Sequence, residues 1–391
     1  MAYAAFLSYC TQVLEFKVLK KSKKSRARLG VISTPHGDIE TPTFVPVATR
    51  AAVRTLDSDE VAEAGAQLLI CNTYHLHLTP GEKLVKKAGG LHKFMHWKKP
   101  LMTDSGGFQV YSLGFGLDHG MGKVLQKEQE RTLKEDAQPV AVKIEENGVR
   151  FRSPIDGKEM YLSPKESIRI QEALGADIMF AFDECPSPLS NEEYMLKSLE
   201  KTHRWAQESL NAKTDKKQAL YGIVQGGAFE PLRVESAKVI GAMDFDGFGI
   251  GGEFGYDKKS LAKIVSAVTD NLPENKPRHL LGIGHPEDFA YSMRSGADTF
   301  DCIVPTQYAR RATVFTSKGR IDLRKPRMMA VQKPLDPKCK CEVCKNYSTA
   351  YISHLLRAHD LTGMKLATMH NVFYFNALAK TLRERIASGD L

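Results

Sequence analysis

Eight short runs of apolar residues, each closed by a turn or polar residue and separated from the next by longer segments, recur between residues 43 and 304. They are TFVPVA (43–48), QLLICN (67–72), LMTDS (101–105), ADIMFAFD (176–183), LYGIVQ (220–225), DGFGIGG (246–252), HLLGIG (279–284) and DTFDCIV (298–304). Most are apolar throughout rather than alternating, as expected of strands covered on both faces. Helical patterns separate them. In SPKESIRIQEALGAD, Ser163 suits an N-cap, Pro164 the first helical position, Glu166 a capping box and Gly175 the residue after the last turn. HPEDFAYSMRSGAD repeats the arrangement, with Pro286 near its start and Phe289 and Met293 on one face. Eight strands in a β-helix-β rhythm predict an α/β fold, a closed (β/α)8 barrel.

In such a barrel the carboxyl ends of the strands converge on one mouth, and several of these runs finish on a polar residue: Asn72, Asp104 with Ser105, Asp183, Gln225 and Asp301. An ionised Asp301 beside Phe300, Ile303 and Val304 is costly unless it is paired or used. One aspartate after a strand is as readily a helix cap or a turn residue. Three carboxylates with a glutamine and three Gly-Gly pairs (Gly106–Gly107, Gly226–Gly227, Gly251–Gly252) point instead to a shared ligand pocket. Glycines let a flat ligand lie against the main chain. With no P-loop or dinucleotide fingerprint present, a planar heterocycle fits better than a phosphate.

The chain has 391 residues, 42% hydrophobic and 26% charged, enough for one large domain and an appendage. We expect an N-terminal extension over 1–27, the barrel over 28–330 and a zinc-binding sub-domain with C-terminal helices over 331–391. The N-terminus lacks a basic n-region and no run of about 18 apolar residues occurs, so we expect a cytoplasmic protein without a membrane span. The formal charge is +9, and much of the excess is local: eight basic residues lie between Gln307 and Lys333 against one acid, Asp322. That balance suits a polyanionic partner, although a solvated basic face reads the same way. Three of the seven cysteines, Cys339, Cys341 and Cys344, fall within six residues. With His370 they supply the donors of a closed tetrahedral zinc site, structural because no position is left for water. His354 and His359 compete as fourth ligand, and we favour His370. Disulfides are not expected.

At this point the sequence resembles the tRNA-guanine transglycosylases, which exchange a guanine in tRNA for a 7-deazaguanine. The matching stretches are NTYHLHLTPG (72–81), TDSGGFQV (103–110), FRSPIDG (151–157), FDEC (182–185), GIVQGG (222–227), DGFGIGG (246–252), DCIVPT (301–306) and the cysteine cluster. The resemblance implies that Asp301 is the nucleophile attacking the ribose C1′ and that Asp104 is the general acid/base. It implies that Asp183, Gln225 and the backbone of Gly252 grip the purine edge, with Ser105, Phe108, Gly251 and Leu281 around the base. It further implies RNA contacts from Gln307, Arg310, Arg311, Lys318 and Arg324, a structural zinc, an anticodon stem-loop as substrate, and usually a homodimer in bacterial members.

The chemistry is consistent with these side chains. A carboxylate nucleophile divides a glycosyl exchange into two displacements at one carbon, with retention of configuration. Asp183 can accept from N1–H and the exocyclic amine of a guanine-type base, and Gln225 can donate to its O6. Three departures stand out. GGEFGYD replaces the GGLAVGE common in bacterial members, which leaves preQ1 and queuine both open as the incoming base, and Gly255 in place of a common Val leaves room for the larger. Gln307 stands where many members have Arg. Residues 118–142 form a longer, charged stretch read as a surface insertion. Competing functions are a catalytically silent tRNA-binding subunit, which retention of Asp104 and Asp301 argues against, and a zinc-dependent barrel hydrolase, whose ligands would sit at strand ends.

Overall fold

The computed structural model describes residues 13–111, 142–188, 190–252, 254 and 258–391. Eight parallel strands close into a barrel. In chain order they are β1 (Thr43–Ala48), β2 (Leu69–Cys71), β3 (Leu101–Thr103), β4 (Ile178–Phe180), β5 (Ala219–Val224), β6 (Gly247–Ile250), β7 (Arg278–Leu280) and β8 (Thr299–Cys302). Each pairs with its neighbour in sequence, and β8 returns to β1 in a register running from Thr299 opposite Thr43 to Cys302 opposite Pro46. All eight predicted strands are present: β1 at its predicted bounds, β5 shifted by one residue and the other six in shorter form. The last one gives way to a helix: β8 ends at Cys302, Ile303 is exposed, and Val304 opens a helix to Arg310 because Pro305 fits its first turn.

Helices cover the outer face of the barrel. Pro164–Leu174 begins at Ser163, whose Oγ accepts from Glu166 N at 3.2 Å, and ends at Gly175 in the left-handed region. The expected capping box is only half made, because the Glu166 carboxylate turns to Arg169 Nε at 2.9 Å. Inside the barrel, Val45, Ile70, Met102, Ile178, Phe180, Tyr221 and Ile223 fill the core. Their lower layer meets Leu14 and, from a three-stranded antiparallel sheet (Glu15–Lys21, Arg28–Thr34, Gly37–Thr41) that leads into β1 and covers the amino-terminal end, Ile32 and Ile39. A buried ion pair fastens this cover: Arg28 Nε and Nη2 donate to Asp298 at 2.8 and 2.7 Å. Loss of one partner of such a pair would strand a buried charge, at a cost of about 3–5 kcal/mol.

Beyond β8 the chain forms a hairpin (Thr313–Thr316 with Gly319–Asp322), two short helices (Glu342–Asn346, Thr349–Arg357) and a 28-residue helix, Leu361–Ser388. That last helix returns to the barrel, where Phe375 packs edge-on against Phe44 and Phe289, with ring centroids 5.2 and 5.5 Å away. No helix among the described residues is long and apolar enough to cross a membrane. The insertion expected over residues 118–142 lies outside the described residues except for Val142, which opens a strand to Glu145.

Candidate active site

A cavity of about 590 Å³ opens among the carboxyl-terminal ends of the barrel strands, and Asp104, Asp183 and Asp301 all line it. Each carboxylate has a different environment. Asp104 follows β3. Its Oδ1 accepts from the backbone N–H groups of Thr73 at 2.9 Å and Gly106 at 3.2 Å, and its Oδ2 from Asn72 Nδ2 at 2.5 Å. Asn72 is also the N-cap of the helix Thr73–Leu78, so one side chain starts that helix and holds the carboxylate. Burial pushes the Asp104 carboxyl up to about 7; the N–H donors of Thr73 and Gly106 oppose this, while Asp301 and Asp183 reinforce it.

Asp183, which follows β4, is buried and already hydrogen-bonded: Ser105 Oγ donates to Oδ1 at 3.1 Å and Gln225 Nε2 to Oδ2 at 2.7 Å. Asp301 lies within β8, and its Oδ1 accepts from Gly282 N at 2.9 Å with His279 Nε2 at 3.2 Å. Phe108, Gly251, Gly252 and Leu281 line the same cavity.

The C-terminal lobe holds a second cluster. One ligand atom from each of Cys339, Cys341, Cys344 and His370 lies within 4.8 Å of the others. His370 Nδ1 is 3.3 Å from Cys344 Sγ and 3.5 Å from Cys341 Sγ, close to the edge of a tetrahedron with bonds of about 2.0–2.3 Å. His370 Nε2 donates to Phe315 O at 2.8 Å, which leaves the Nδ1 lone pair facing the sulfurs. The donor set fits zinc. His354 and His359 are exposed and take no part.

Residues 22–391 match the family described as queuine tRNA-ribosyltransferase. The queuine tRNA-ribosyltransferase of Moorella thermoacetica is 44% identical over 377 residues, covering 96% of the chain and 94% of its own length. That of Enterococcus faecalis is 43% identical over 380 residues, covering 97% and 93%. The chain belongs to the queuine tRNA-ribosyltransferase family. It is accordingly a transferase.

Seen as a member of that family, the protein places its basic stretch in three separate settings. Gln307, Arg310 and Arg311 lie on or next to the helix that leaves β8. Lys318 sits exposed at the hairpin turn, and Arg324 is held by Asp322 through two contacts of 3.1 Å. The Arg310 Nη1 is buried with no partner among the described residues, and burial beside Arg54 and Arg311 lowers the guanidinium's proton affinity.

At two of the paired glycines a side chain would meet neighbouring residues of the site. A Cβ on Gly107 would lie 2.6 Å from Asp183 O and 3.2 Å from its Oδ1. At Gly252, where φ is +82°, a Cβ would run into Gln225 Oε1. These positions make room for the Asp183 and Gln225 side chains. The GGEFGYD segment also departs from expectation. Phe254 does not line the cavity but is buried with its ring 5.1 Å from the Arg233 guanidinium, while Glu253 and Gly255 lie outside the described residues.

Three residues of this region went unnoticed in the sequence. His75 lines the cavity and has its pKa lowered by burial and by Arg50 and Arg54. Arg233, fully buried, donates to Gly227 O at 2.7 Å, Val224 O at 3.1 Å and Gly251 O at 2.7 Å, bracing the loops after β5 and β6. It was detectable as an arginine on the buried stripe with Ser236, Ala237 and Ile240. His279 interrupts an otherwise apolar strand.

At the opposite end of the barrel, His36, His92 and Asp177 also come together. The two imidazoles stack 3.5 Å apart at 12°, which would leave a shared ion far out of both ring planes, and Asp177 Oδ2 accepts from Leu101 N at 2.8 Å. This group is a hydrogen-bonded brace.

The raised Asp104 carboxyl has a consequence for stability. Its folded value lies above the 3.8 of an ordinary aspartate, so its ionisation opposes folding. The cost is absent below about pH 4, grows as pH rises and is complete above about pH 7. Asp104→Asn removes that cost. Its melting temperature is expected to gain on wild type between about pH 4 and 7 and then level off; a gap independent of pH would show that Asp104 titrates normally.

Proposed function

We propose that the protein replaces guanine at the anticodon wobble position of tRNA with a 7-deazaguanine through a covalent intermediate on Asp301. The observation carrying this reading is the convergence of three carboxylates in one cavity with three different environments, the usual way a site separates nucleophilic, proton-transfer and binding roles. Asp301 attacks C1′ as the C1′–N9 bond breaks, and Asp104 gives a proton to the departing guanine. The incoming base then loses a proton to Asp104, its N9 bonds to C1′ and the Asp301 carboxylate leaves. Two displacements at one carbon retain configuration. A carboxyl near 7 can both give and take that proton around neutral pH.

Asp183 supplies the acceptor for N1–H and the exocyclic amine, and the second N–H of Gln225 can reach O6. Ser105, Phe108, Gly251, Gly252 and Leu281 surround the base. Family membership alone carries the anticodon stem-loop, the homodimer and the cytoplasmic location.

With an unreactive base analogue in the pocket, wild type is expected to accumulate a tRNA adduct stable to denaturing electrophoresis. Asp301→Asn should bind the stem-loop and form none, whereas Asp104→Asn should slow exchange by about 10²- to 10⁴-fold. An adduct on Asp301→Asn, abolished in Asp104→Asn, would exchange the two roles. Run with preQ1 and with queuine, the same assay tests the base: we expect queuine to be accepted, and exchange with preQ1 alone would contradict this.

In the C-terminal lobe we assign zinc, held by Cys339, Cys341, Cys344 and His370, to a structural role. When bound, it would fix the hairpin and the last helix by satisfying four donors at once. Cys341→Ala should lose metal and solubility together. A metal-free protein that stays folded and equally active would refute the assignment.

Arg310, with Arg311, Gln307, Lys318 and Arg324, is read as contacting the RNA backbone, supported by the Nη1 of Arg310, which has no partner among the described residues. Arg310→Ala should weaken stem-loop binding and lower the slope of log K against log salt by about 0.7–0.9. An unchanged slope would return that stretch to a solvated basic face.

A further inference from the structure

We infer that His279 is a positioning residue for the nucleophilic carboxylate, fixed in one tautomer by Thr299; the inference rests on Asp301 as the group that bonds to C1′. His279 is the middle residue of β7 and is fully buried. The β7–β8 register sets it opposite Thr299, and Asp301 lies two residues further along β8, on the same face of that strand. The imidazole therefore bridges two side chains of one neighbouring strand. Its Nδ1 is 2.8 Å from Thr299 Oγ1 and its Nε2 3.2 Å from Asp301 Oδ1.

The chemistry of the end group fixes the proton positions. An ionised carboxylate only accepts, so Nε2 carries the hydrogen. In the neutral ring Nδ1 is then the acceptor, and the Thr299 hydroxyl donates to it. The result is a chain from Thr299 O–H to His279 Nδ1, and from Nε2–H to Asp301. Gly282 N–H donates to the same carboxylate oxygen at 2.9 Å.

Two donors on Oδ1 set the plane of the carboxylate, and Oδ2 then makes the bond to C1′. Oδ1 becomes the carbonyl oxygen of the ribosyl ester. When the second base arrives, the C1′–O bond breaks, its electron pair returns to the carboxylate, and both donors meet a full negative charge again. A hydrogen bond to a charged group is stronger than one to an ester carbonyl, so His279 assists the release half of the reaction most.

The test is a chase. The adduct is formed with wild type, His279→Phe, His279→Gln and Thr299→Val, and its release by added guanine is timed beside kcat, KM for guanine and thermal stability. His279→Phe keeps a ring and removes the donor. It should slow release and kcat by about 10- to 100-fold with KM little changed. His279→Gln, whose amide can present an N–H near the place of Nε2, should recover most of that loss. Thr299→Val, which frees the tautomer, should fall between, and it serves as the deciding variant if His279→Phe fails to fold. Release at the wild-type rate in His279→Phe, or in Thr299→Val where that variant decides, overturns the inference. So does equal impairment of the Gln and Phe variants at equal stability. Wild type forming no adduct at all would instead remove the Asp301 reading on which the inference stands.

Discussion

Closing a parallel barrel forces side chains from the ends of its strands into one small volume, and here three of them are carboxylates. Three negative charges sharing a cavity of about 590 Å³ repel unless each is given its own compensation. The rest of the site can be read as that compensation. Asp183 has a hydroxyl and an amide, and Asp301 has a backbone N–H and an imidazole. Asp104 has three donors, yet burial and its two neighbours still hold its proton near neutral pH. Burial is the main cause of the raised Asp104 value, and the two neighbouring carboxylates add to it.

The C-terminal lobe bears on the same mouth through one helix. On Leu361–Ser388, His370 belongs to the cysteine cluster and bonds Phe315 O, while the next residue, Asn371, accepts from Phe315 N and donates to Pro305 O and Thr313 O, all at 3.0 Å. Pro305 is four residues past Asp301. Further along, Asn376 donates to Ala64 O and Phe375 packs on the barrel. A metal held by this cluster would stiffen the hairpin and the segment leaving β8 without touching the cavity.

The strands of the barrel were legible because both faces are covered, which leaves unbroken apolar runs. The small sheet of Val142–Glu145, Gly148–Arg152 and Glu159–Leu162 was not among the predicted strands, since its half-exposed positions carry no such run. At the mouth the sequence made the polar strand ends visible but not their partners. That His279 faces Asp301 follows from the β7–β8 register, and register between parallel strands separated by a helix is not written in either strand alone. Likewise the glycines announced a close approach without saying to what. Only the fold shows that Gly107 yields to Asp183 and Gly252 to Gln225.

Arg233 illustrates how the two sides of the cavity are kept apart. Its guanidinium stays charged at any working pH, and it spends that charge on carbonyls of the loops after β5 and β6, which carry Gln225, Gly251 and Gly252. Asp104 is held on the other side by Asn72 and backbone N–H groups from a different pair of strands. A change of protonation at Asp104 therefore alters none of the hydrogen bonds that shape the loops around Gln225. The braces behind Asp104 and those behind the loops around Gln225 share no residue.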